Sequence, residues 1–182
     1  MDVRRLLTLA LVVGGLILAS ITPASGAETI VTFTLGGGNL TISAPATATL
    51  GSVQTGTPSL GGSLGNIVVT DARGTNNGSW MATVYGTNFV TGGGTPAETI
   101  TLSNIRYASL TGTATGSGTF TAGQANAGFA ALLGSQASPL TAYTATNLFG
   151  NNSVTWNPTL IVNIPTNAVA GTYQGTLVHN VA

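Results

Sequence analysis

The feature that most constrains this chain is a two-residue alternation of apolar with small polar residues, cut at short intervals by glycine. In "TIVTFTL" (29–35), Val31, Phe33 and Leu35 fall on one face, with Thr32 and Thr34 on the other. In "SWMATVYG" (79–86), Trp80, Ala82 and Val84 share a face. In "AGTYQGTLVHNVA" (170–182), Tyr173, Leu177, His179 and Val181 do the same. A period of two suits a strand with one buried face and does not suit a helix. Thirty-one of the 182 residues are threonine and 26 are glycine. Threonine favours strands, and glycine ends them in turns.

The predicted fold is therefore all-β: an antiparallel β-sandwich of about eight to ten short strands with Greek-key-like connections. A small barrel is the alternative. The connections are too short for parallel β-α-β units. Residues 39–43 are expected to form a hairpin with 29–35 across Gly36–Gly38. Further strands are expected at 47–53, 66–71 and 79–86, within 98–110 (one bent or two short), and within 116–123. Residues 153–165 contain a strand that points Leu160, Val162 and Ile164 inward. Segments 56–62, 72–78 and 91–96 read as loops or turns. Residues 124–150 offer one short helical turn, or a loop pinned by Phe129 and Leu132.

The first residues read as a leader rather than as fold. Arg4 and Arg5 precede an apolar run over 6–21, and the small residues of "ITPASGAE" follow. That is the pattern of a secretory signal peptide, with cleavage expected after Ala27. The apolar run is shorter than the ~20 residues a bilayer span needs. Removing 27 of the 182 residues leaves 155, a single β-sandwich domain over 28–182 with no transmembrane segment. Val181 is followed by neither a basic stretch nor an apolar segment, so covalent anchoring of the sortase type is not expected.

Charge narrows the function classes. After the leader, Glu28, Asp71 and Glu98 stand against Arg73 and Arg106, three carboxylates to two guanidiniums, for a net −1. Lysine does not occur. Such a chain lacks the clustered cations that neutralise nucleic-acid phosphates. The same scarcity argues against electrostatic attachment to anionic lipid or wall polymers. Low net charge permits self-association. Cysteine is also absent, so an exported fold must hold without disulfides, and thiol catalysis is excluded.

Candidate chemistry is sparse. His179 is the only histidine, so a multi-histidine metal centre is excluded. It lies on the apolar face of the last strand and reads as a packed structural residue. Asp71, in "DARG", is assigned to capping turn amides or pairing with Arg73. An acid pair for glycoside hydrolysis would require Asp71 and Glu98 to meet across a cleft by chance. A calcium site at Asp71, Asn76 and Asn77 would hold one carboxylate and be weak. "GGGNL" and "TGGGTP" lack the lysine and helix of a phosphate loop. Trp80 is assigned to the core and Trp156 to the end of the sandwich. Tyr85, Tyr107 and Tyr143 are candidates for exposed aromatics. No catalytic residue, metal or cofactor is assigned.

Two stretches together carry a resemblance: "GNIVVTDARGTNNGSWMATVYGTNF" (65–89) and "WNPTLIVNIPTNAVAGTYQGTLVHNVA" (156–182). They resemble the WxL-domain proteins, secreted cell-surface proteins of Gram-positive bacteria, especially actinobacterial relatives. The matching elements are Val69–Arg73 before a tryptophan strand, Trp80–Val84, and a closing segment of Ile164-Pro165 and Ala170–Thr176. Both Trp-x-Leu motifs are degenerate. The first reads Trp80-Met81-Ala82, and the final strand has no tryptophan, with His179 in the region of the aromatic slot. The resemblance implies a β-sandwich associated non-covalently with the cell wall. Trp80, Ala82, Val84, Trp156, Leu160, Tyr173, Leu177 and His179 would be its core or motif residues.

The expectation is thus a secreted, non-enzymatic cell-envelope protein, a wall-association or adhesion module. Peptidoglycan or another wall polymer, a surface protein, or a second copy are the candidate partners. A self-assembling fibre or surface-layer subunit is the first alternative. A carbohydrate-binding module or hydrolase is the second. The segment 29–35 discriminates: displaced from its own domain, it favours assembly by strand addition.

Overall fold

Residues 66–86, expected as two strands around a polar turn, are almost entirely one strand. In the computed structural model, which describes residues 27–182, Ile67–Gly86 runs unbroken as β3. Before it come β1 (Leu40–Ser43) and β2 (Ser59–Ser63). After it come β4 (Phe89–Val90), β5 (Thr99–Ile100), β6 (Ile105–Ala108) and β7 (Thr113–Ala122). The last four are β8 (Ala131–Leu132), β9 (Leu140–Trp156), β10 (Thr159–Asn163) and β11 (Leu177–Val181). Residues Leu35–Ala182 form the larger of two compact units. The expected leader falls on residues 1–26, outside those described, apart from Ala27.

The larger unit is all-β, as its alternation requires. A five-stranded antiparallel sheet has the order β1-β3-β9-β7, with β11 also on β3. A four-stranded sheet, β2-β10-β6-β8, packs against it, and β4 and β5 form a small ribbon. Buried side chains from both sheets make one core: Val69, Trp80 and Val84 on β3 meet Tyr107 on β6 and Leu160 on β10.

The polar stretch 72–78 is not a turn because β9 pairs beside it and absorbs its extra residues in bulges. The β3–β9 register shifts between Asp71 and Trp80, and β7 shifts against β9 between Thr115 and Thr119. A bulged strand bends, so three neighbouring strands bend at one level. Gly116 shows why glycine is needed there. Its φ is +89°, and a Cβ would lie 2.5 Å from the Asn151 carbonyl oxygen.

Several expectations are corrected. Thr29–Leu35 is not a strand and pairs with none among the described residues. Ile30, Val31, Phe33 and Leu35 are 90, 83, 89 and 89 % exposed. The hairpin with 39–43 is absent, and β1 pairs with β3 instead, Leu40 opposite Asp71. A lone two-stranded hairpin is marginal in water, whereas β3 offers a place in a packed sheet. Residues 47–53 form no strand either. Part of the supposed loop 56–62 does, because β2 pairs with β10, Leu60 opposite Val162.

In the region 124–150, Asn126 caps a 3-10 turn at Ala127–Phe129, its side chain accepting from the Gly128 N–H. Phe129 and Leu132 pin nothing, being 70 and 47 % exposed; Leu133 is the buried anchor. From Leu140 the chain is already β9. The closing strand starts at Leu177 rather than near Thr172, and Tyr173 packs half-buried just ahead of it.

Candidate functional site

Asp71 leaves its expected turn for a fully buried place on β3. Its neighbour two residues on, Arg73, grips it bidentately: Nε and Nη2 donate to the two carboxylate oxygens at 2.8 and 2.9 Å. The Arg73 backbone N–H donates to the same carboxylate. Asn152, opposite Asp71 on β9, donates its amide to Asp71 Oδ2 at 3.4 Å and accepts the Trp80 indole N–H at 3.2 Å. The Arg73 hydrogen bonds hold the Asp71 carboxyl below the usual carboxylate range, against the opposing effect of burial. This node pins the bend. Its oxygens are committed to protein donors, which removes them from the calcium arrangement considered with Asn76 and Asn77.

A second group joins the sheets. Trp156 donates its indole N–H to the Tyr107 hydroxyl at 3.1 Å, and that hydroxyl lies 3.3 Å from His179 Nε2. The phenol oxygen accepts from Trp156, and which partner donates between Tyr107 and Nε2 depends on the imidazole tautomer. Burial raises the Tyr107 pKa and lowers that of His179 to about 4. The ring is therefore neutral at pH 7. His179 pairs across β3 with Val84 and sits 5.8 Å from the Tyr107 ring centroid. The imidazole has no acidic side chain among its hydrogen-bond partners. The half-buried ring packs against Tyr107 and also lines a cleft in the larger unit.

Neither tryptophan presents an exposed ring. Trp80, Tyr107, Tyr143 and Trp156 are all buried, which corrects the expectation of exposed tyrosines at 107 and 143; Tyr85 is half-buried, and Trp156 is the last residue of β9. Ala82, Val84 and Leu160 are core, as their alternation predicted, while Leu177 is half-buried against it. Glu98 is used locally, accepting from the Thr95 N–H and hydroxyl. Among the described residues no three histidine, cysteine or acidic side chains group as metal ligands. No helix among them is long and apolar enough to cross a membrane.

What remains open is a cleft of about 1390 Å³ in the larger unit. It lies where the two sheets part, between β2 and β10 on one side and β11 on the other. Leu60, Leu160, Val162 and Leu177 line it, and the segments 44–55 and 168–176 form its rims. Small-molecule pockets are usually about 300–1,000 Å³; this space is larger and fits a stretch of chain better. Sequence reasoning missed it because its walls come from segments read as loop (56–62) and weak strand (47–53). No protein-family model, curated protein or solved structure matches this chain.

Proposed function

We propose that this chain is a secreted, non-enzymatic subunit of a bacterial cell-surface assembly, built by association of its own copies. The observation that carries this reading is the segment Thr29–Leu35. It has the alternation of a strand, yet its apolar side chains are 83–90 % exposed, and it pairs with nothing among the described residues. Such a segment is a template for pairing with another chain. Low net charge supports close approach of like molecules. Export rests on the leader-like start, and the surface location on the resemblance to WxL-domain proteins.

One observation favours a second reading, association with a wall polymer. Thr113, Thr115, Ser117, Thr119 and Thr121 alternate along the edge strand β7 and are all exposed. A row of hydroxyls without charge suits hydrogen bonding to a polysaccharide. In this reading the wall does not meet the tryptophans, which are internal.

Sedimentation of residues 28–182 alone and with purified Gram-positive cell walls separates the two. Pelleting without walls, rising with protein concentration, is expected from a self-assembling subunit. Pelleting only with walls would replace assembly by wall binding. A protein soluble under both conditions would overturn both readings.

A further inference from the structure

We infer that the cleft between β2 and β11 is an acceptor site, filled by the segment Val31–Leu35 of a second copy of this chain. The inference rests on the assembly reading and names its contact. Three independent observations meet here. The first is the cleft itself, lined by half-buried Leu50, Leu60 and Leu177 among polar residues and larger than a small-ligand pocket. The second is an unpaired edge: β2 ends its sheet, bonded only to β10. The third is an unpaired, strand-patterned segment whose apolar residues face solvent.

Their dimensions agree. β2 and β11 are each five residues long, and Val31–Leu35 is five residues. At ~3.3 Å per residue such a strand covers about 17 Å. Inserted beside β2, it would turn Val31, Phe33 and Leu35 toward the half-buried Leu50, Leu60 and Leu177 that line the cleft, and leave Thr32 and Thr34 in water. The period of two permits this division and no other. Main-chain hydrogen bonds to β2 would supply affinity, and the three apolar side chains would set register. The charge balance places no obstacle: the donor stretch 29–35 has no ionisable side chain, and neither has β2. Another edge, β7, fits less well, because its bulges at Ser117 interrupt the row of groups an added strand would need.

The chain has no native cysteine, so introduced thiols give an unambiguous test. Donor variants of residues 28–182 carry Val31→Cys, Phe33→Cys or Leu35→Cys, which together cover three registers. The acceptor variant carries Leu60→Cys. Mixed and mildly oxidised, at least one donor is expected to form a disulfide-linked dimer with the acceptor. Thr32→Cys, on the opposite face, is expected to cross-link at least tenfold less. A Phe33→Asp variant should keep the wild-type melting temperature measured at low concentration and lose association. Closure of the disulfide only within one chain, in the Phe33→Cys/Leu60→Cys double variant, would overturn the second-copy occupant. Wild-type association without any donor–acceptor cross-link would overturn the cleft assignment and leave the assembly reading standing. A wild type that stays monomeric at every concentration would remove both.

Discussion

Burial holds the His179 imidazole neutral, its pKa lowered to about 4, while Nε2 sits against the Tyr107 hydroxyl. The unfolded chain has the ordinary value near 6.5 and takes up the proton first as pH falls. Stability from this group is therefore complete above pH 6.5, declines from there to about 4, and is lost below. The shift corresponds to roughly 3 kcal/mol. Denaturant unfolding at pH 7.5 and 4.5 is expected to show most of this loss, and His179→Phe to flatten it. Equal pH dependence in the two proteins would remove His179 as the cause. Asp71, whose pKa is lowered by Arg73, acts in a different window, losing its contribution only as pH falls below its ordinary 3.8. The Asp71–Arg73 pair was legible because the partners lie two positions apart. Asn152 was not, because it lies 81 positions from Asp71 and nothing local marks it. The Trp156–Tyr107 bond, 49 positions apart, was hidden for the same reason.

At the scale of elements, the alternation identified β3, β10 and β11 but not every strand it touched. The pattern 29–35 is as regular as 79–85, yet only the second is a strand. Alternation records that a face is suited to burial; it does not supply the partner. The converse holds for β2, where Ser59–Ser63 contains two glycines and reads as loop. There β10 supplies the ladder, and Leu50 packs on Gly62, 3.1 Å from where a Cβ would stand. β9 was unreadable over 140–152 because its bulges break the period of two. The face assignment of β11 has a direct check. Leu177 packs on the core and Thr176 is exposed. Leu177→Asp should cost about 2–3 kcal/mol by placing an unpaired charge against apolar neighbours. Thr176→Asp should cost less than about 0.5 kcal/mol. Similar melting temperatures for the two variants would contradict the assignment.

For the molecule as a whole, a chain with three carboxylates and two guanidiniums from Glu28 onward, and no disulfide, holds its fold by apolar burial and backbone ladders. Charge and cysteine content were legible at once and limited the chemistry more firmly than any motif did. The cleft was not legible, since it arises from the way two sheets part. If copies fill one another's clefts, binding stabilises the folded state by mass action. The melting temperature of residues 28–182 should then rise with protein concentration across a hundredfold range, while that of Phe33→Asp stays constant. A wild-type value independent of concentration would count against the contact.

If the 31–35 stretch of one copy fills the cleft of the next, donor and acceptor are different parts of one chain. Each junction is head-to-tail, so two copies joined once still present one vacant cleft and one unused donor. Unless the rotation per junction happens to close a ring, growth continues in a line. The line has direction: one terminus always exposes an apolar cleft, the other an apolar strand. A cell that exported such a subunit would need only to occupy the cleft at one terminus to fix where every filament begins.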